Sequence, residues 1–85
     1  MAYTVEITRS ATKALAGLPI EPRRRIGARI DALATDPRAP GCEKLAGEQN
    51  AYRVRVGDYR IVYEIRDAEV IVKVIRIGHR REVYR

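Results

Sequence analysis

Neither tryptophan nor phenylalanine occurs in this chain of 85 residues, and cysteine, histidine, serine and methionine occur once each. A lone Cys42 excludes an internal disulfide and points to a reducing, cytoplasmic compartment. With Cys42 and His79 as the only thiol and imidazole, a Cys/His zinc tetrahedron cannot be completed, so neither metal nor cofactor is expected. A serine nucleophile would have to be Ser10, which a helix cap explains better. No glycine cluster has the spacing of a phosphate-binding loop. No apolar run approaches the roughly 20 residues that span a bilayer, and no basic segment followed by an apolar one opens the chain. A cytoplasmic protein without a membrane partner is expected.

What the chain does hold is positive charge. Seventeen Lys and Arg stand against eleven Asp and Glu, giving +6 and a pI near 10.0. That balance favours a polyanion or an acidic protein as partner. Arginine outnumbers lysine 14 to 3, which suits bidentate phosphate contacts. The length sets one domain over 1–85. Its core must come from Ile, Val, Leu and Ala, and a partner that covers apolar surface would add stability.

Residues 3–7 alternate and predict a first strand. Ser10 is placed to cap a helix carrying Ala11, Ala14, Leu15 and Leu18, which Pro19 ends. A second helix has Pro22 in its first turn and runs to about Thr35. Its apolar stripe is Ile26, Ile30 and Leu33, and its opposite face carries Arg23, Arg24, Arg25 and Arg29. A Pro/Gly-rich connector over 36–50 has Leu45 as its anchor to the core. Strands at 52–56 and 59–66 join at Gly57-Asp58, a pair suited to a two-residue hairpin turn. A third at 70–78 is apolar on both faces and so internal. The expected fold is α+β: strand, helix hairpin, then three antiparallel strands, with both helices on one face of a four-stranded sheet.

The other face is where function is expected. Arg53 and Arg55 lie two apart on a strand and share a face about 7 Å apart. With Arg60 and Arg80 they converge from three strands, and like charges so placed call for an anion between them. The arginines of the second helix read more simply as a solvated surface. Tyr59 and Tyr63 share parity with Ile61 and Ile65 and read as core or half-buried, and Tyr52 is ambiguous in the same way. His79 is either an exposed strand end or a phosphate or acid/base group. A metal-free attack of an RNA 2′-hydroxyl on its own phosphate would need a base, an acid and cations. The base would be His79 or a tyrosine whose pKa neighbouring guanidinium groups lower.

Leu15-x-x-Leu18-Pro19, Asp36-Pro37, Lys44-Leu45-x-Gly47, Tyr52-Arg-Val-Arg-Val-Gly57-Asp-Tyr-Arg-Ile-Val-Tyr63 and Ile77-Gly-His-Arg-Arg-Glu-Val-Tyr84 together resemble the RelE/ParE superfamily of toxins. The resemblance covers nearly the whole chain. It implies the fold just described and an acidic cognate antitoxin as partner. RelE-like members cut messenger RNA on the ribosome without metal, whereas ParE-like members poison DNA gyrase. On the RelE pattern, Arg60 and Arg80 match phosphate-contacting arginines and Tyr84 the general base. Arg53 and Arg55 stand where the best-known members carry lysines. With His79 and Arg81 they make the substrate-binding set. The stretch from Arg80 to Tyr84 is about two residues short of that pattern, which leaves Arg81 as a rival to Arg80. The expected function is therefore an RelE-like endoribonuclease of translated messenger RNA. The alternatives are a ParE-like gyrase inhibitor and a non-catalytic basic module that only holds its antitoxin.

Overall fold

The structure, a computed structural model, describes residues 2–47 and 49–79. Strand β1 (Thr4–Ile7) leads into helices α1 (Arg9–Ala16) and α2 (Ile20–Leu33), followed by β2 (Cys42–Lys44), β3 (Ala51–Val56), β4 (Tyr59–Arg66) and β5 (Ile71–His79). The strands form one sheet in the order β1-β5-β4-β3-β2. β1 runs parallel to β5, and the other pairings are antiparallel. The sheet has five strands where four were expected. The extra one is β2, whose three residues inside a Pro/Gly-rich connector are too few to show an alternation. It still buries Cys42 partly against the core.

The helices cover one face, as the sequence pattern requires. Ile26, Ile30 and Leu33 of α2 are buried with Ala11 of α1 against Val54, Ile61, Tyr63, Ile65, Val72, Val74 and Ile77 of the sheet. Leu45 is only half-buried and lies outside that cluster. The connector is held instead by Cys42 and by the buried Tyr63 hydroxyl, which donates to the Pro37 carbonyl at 2.8 Å. Burial pushes the Tyr63 hydroxyl well above its ordinary pKa. At the β3–β4 turn Gly57 has φ 59° while Asp58 stays at negative φ, the pattern of a II′ hairpin with glycine first.

Thr8, not Ser10, caps α1. Its Oγ1 accepts from the Ala11 amide at 3.1 Å and donates to the Ile75 carbonyl at 3.1 Å. Ser10 is displaced from that role because β1 ends at Ile7, so the helix begins one residue after Thr8 and Ser10 falls inside its first turn. The Ile75 end of this bond sits at an irregularity. Val62 pairs with Arg76 and Tyr63 with Val74, so Ile75 is an extra residue on β5. A bulge of this kind reverses the facing of everything beyond it. It turns Ile77 inward after Val74.

At the far end of the sheet Arg38 grips Asp67 with two bonds, Nη1 to Oδ1 at 3.1 Å and Nη2 to Oδ2 at 2.8 Å. Tyr3 donates to the same Oδ1 at 2.8 Å, and Arg38 Nε donates to the Tyr52 hydroxyl at 3.3 Å. The Arg38 bond, then that of Tyr3, holds the Asp67 carboxyl below its ordinary 3.8.

Two stability predictions follow from these contacts. Thr8→Ala should cost roughly 0.5–2 kcal/mol in denaturant unfolding, whereas Ser10→Ala should change little. Equal losses for both would refute the Thr8 cap. The depressed Asp67 pKa adds stability that is complete above the unfolded-state value and disappears as pH falls through the folded-state one. Thermal melts taken from about pH 6 down to about pH 2 should therefore fall more steeply for the wild type than for Asp67→Asn.

Candidate nucleic-acid interface

The register of the three long strands fixes which side chains meet. Arg53 is opposite Val62, Arg55 opposite Arg60, Arg60 opposite Gly78, Val62 opposite Arg76, and Glu64 opposite Lys73. Residues opposite one another share a face, and the intervening positions Val54, Ile61 and Tyr63 point to the helices. Arg53, Arg55, Arg60, Lys73 and Arg76 therefore project together from the helix-free face. Arg76 and Lys73 were not expected there. They are three apart, and strict alternation would put them on opposite faces; the extra Ile75 brings them together.

The charge on this face is graded. Lys73 lies between Glu64 on β4 and Glu6 on β1. Arg53 reaches Glu43 at 3.4 Å. Glu64 also takes a bond from Arg66 at 3.1 Å. Towards the β3–β4 hairpin no acid among the described residues is set directly across from a cation. Arg55 faces Arg60, and Arg60 is 4% exposed, alone among the described charged residues in being buried. On its other side β5 offers Gly78, also buried and without a side chain to compete for the space. Arg60 is thus a fixed cation recessed in the sheet, with Arg55 and Arg76 exposed around it. Like charges directly across a strand pair are destabilising, and a bound phosphate would reverse the sign of that interaction.

This face suits anion clamping, and among the described residues it holds neither histidine nor tyrosine. Tyr3, Tyr52, Tyr59 and Tyr63 all belong to the core or pack against it. Tyr52 stacks on Tyr63 with centroids 6.0 Å apart. His79 is opposite Tyr59, on the helix side, and meets its ring edge-on at 5.7 Å. The structure therefore brings Arg53, Arg55 and Arg60 together and sets His79 apart from them. Arg80, Arg81 and Tyr84 lie outside the described residues. Among the described residues no three of His, Cys, Asp and Glu converge as metal ligands.

Comparison with known proteins gives the family. Residues 5–84 match the ParE toxin of the type II toxin–antitoxin system parDE. The chain belongs to the RelE/ParE family of toxins. It is 30% identical to toxin RelG of Mycobacterium tuberculosis, over all of this chain and 99% of the relative. It is 28% identical to a protein named putative toxin RelE1 of Methanocaldococcus jannaschii, over all of this chain and 98% of the relative. Among solved structures it resembles the RelE–RelB complex of Pyrococcus horikoshii, with 32% identity, a TM-score of 0.83, and 94% and 97% of the two chains covered. The isolated RelE toxin of E. coli superposes with a TM-score of 0.82 at 30% identity, over 98% and 92% of the two chains. The five-stranded RelE-type sheet under a helix hairpin is thus shared by this toxin.

The Arg55–Arg60 pairing sets stability against binding. Arg55→Ala should raise the unfolding free energy by roughly 0.2–1 kcal/mol, since it removes a cross-strand repulsion. The same change should weaken binding of a short single-stranded RNA, measured by fluorescence anisotropy at low salt. Loss of stability with unchanged RNA binding would mean that Arg55 is only a solvated side chain.

Proposed function

We propose that this toxin is RelE-like: an endoribonuclease that cleaves messenger RNA on the ribosome by attack of a 2′-hydroxyl on the adjacent phosphate. The recessed Arg60, set between Arg55 and Gly78, is the observation that carries this reading. A cation fixed before substrate arrives stabilises the charge that develops on the phosphate without reorganising during the reaction. Arg53, Arg55 and Arg76 hold the strand on either side. Arg80 supplies a second catalytic cation, with Arg81 as its rival, and Tyr84 takes the proton. The packing of the other four tyrosines against the core supports that choice. Tyr63 in particular is committed to the Pro37 carbonyl, with its pKa pushed up rather than down.

An acidic antitoxin is the proposed regulator, and the cytoplasm the proposed compartment. The +6 charge supports such a partner. So do the relatives solved as RelB complexes. A gyrase inhibitor is the second reading, favoured by the ParE description of the family match. The relatives and solved structures named RelE favour the nuclease.

Single-turnover cleavage on programmed ribosomes separates these readings. Tyr84→Phe should slow it roughly 10²–10⁴-fold, and Arg60→Ala roughly 10²–10³-fold, both with circular dichroism unchanged. Products should carry a 2′,3′-cyclic phosphate and a 5′-hydroxyl. A Tyr84→Phe rate within about threefold of wild type removes that residue from the mechanism. No cleavage by the wild type, with gyrase supercoiling blocked instead, establishes the second reading.

A further inference from the structure

Around Arg60 the helix-free face is built of two rungs. Arg55, Arg60 and Gly78 form the first, and Glu43, Arg53, Val62 and Arg76 the second. Both rungs point to the same side of the sheet, and they lie two residues, about 7 Å, apart along β4. Val62 is the one apolar side chain among these residues, and it is half-buried. Arginines surround it. Arg60 precedes it by two on its own strand, Arg53 stands beside it on β3 and Arg76 on β5, and Arg55 lies on the diagonal.

Arg53 and Arg76 are two strand spacings, or about 10 Å, apart. With Val62 as floor, that gap suits one flat ring better than a phosphate, which would lose hydration over an aliphatic side chain that offers no donor. The surroundings of Arg53 point the same way. Its Nη2 reaches the Glu43 carboxylate at 3.4 Å, and its side chain is 25% exposed. Glu43 offsets the charge of that guanidinium and repels a phosphate from this end of the rung. The planar face is then the surface that Arg53 presents to a ligand. Arg76 reaches this side only because the extra Ile75 turns it there, and bulges re-aim side chains in this way beside functional sites.

We propose that the Arg53–Val62–Arg76 rung is a base-binding slot. It takes one nucleobase of the messenger RNA, edge-on to Val62 and with its faces towards the two guanidinium planes, while a phosphate of the same strand sits at the Arg55–Arg60 rung. The inference rests on the nuclease reading and adds to it a specificity-determining element for a nucleotide beside the cut. The RNA need not cross the sheet, since both rungs open on one face. Unpaired RNA bases stack on guanidinium planes as they do on aromatic rings. Among the described residues this face holds no aromatic ring, and the arginines take that part.

Single-turnover cleavage on programmed ribosomes tests the slot, with messenger RNAs that carry an abasic nucleotide at each position around the cut in turn. The readout is the toxin concentration that gives half the maximal rate. For the wild type, one abasic position beside the cut should raise it about fivefold or more. Val62→Arg fills the slot and adds a cation. It should raise the same concentration about fivefold or more on unmodified messenger RNA and abolish the abasic effect. A face that only tracks phosphates gives the opposite sign, a lower concentration for Val62→Arg. Arg76→Lys keeps the charge and removes the plane, and should shrink the abasic effect to about twofold or less; it carries the test if circular dichroism shows Val62→Arg unfolded. Absence of any abasic effect in the wild type, or its survival in Arg76→Lys, overturns the slot and leaves the nuclease reading intact. A wild type that does not cleave unmodified messenger RNA overturns both.

Discussion

One surplus residue in β5 decides which side of the sheet each later residue serves. Up to Val74 the strand alternates with its partner; at Ile75 it gains a residue, and from Arg76 onward the facing is reversed. Without that step Arg76 would enter the core and Ile77 would face water. The core cost of burying a guanidinium in place of an isoleucine is far larger than the cost of one broken ladder position. The bulge is tied at its carbonyl by Thr8, whose same oxygen receives the first amide bond of α1. One side chain thereby couples the start of the helix layer to the facing of the residues in β5.

The sheet is divided chemically as well as geometrically. Among the described residues, its helix side holds four tyrosines and the aliphatic core, and its other side holds six cations. Among the described residues on that side, acids stand directly across from the cations at one end and not at the other. The compensated end holds Lys73, Glu6 and Glu64 and serves the fold. At the other end Arg55 stands across from Arg60, a like-charge pairing that does not favour the fold. Such a local conflict between stability and charge placement is expected where a ligand resolves it.

Much of this was legible in the sequence. The α2 stripe of Ile26, Ile30 and Leu33 is periodic enough to read directly, and all three are buried. The alternation of Arg53 and Arg55 against Val54 likewise gave the facing of β3. β2 escaped because three residues carry no period. The Thr8 cap escaped because Ser10 offers the same chemistry two residues later, and only the end of β1 chooses between them. His79 and Arg76 escaped for a single reason: a bulge breaks the counting rule on which facing depends. Its trace was present in Lys73 and Arg76, two cations three apart in an otherwise apolar strand. The burial of Arg60 had no sequence signal at all, since it depends on Gly78 arriving opposite from another strand.

The absence of tryptophan and phenylalanine, joined to the one-sided packing of the described tyrosines, gives the described part of the domain an optical asymmetry. Near-ultraviolet absorption and intrinsic emission from those four rings originate on the helix side alone. The arginine face is spectroscopically dark among the described residues. A ligand that stays on that face reaches these chromophores only through the thickness of the sheet, whereas one that settles beside Tyr59 touches a chromophore directly.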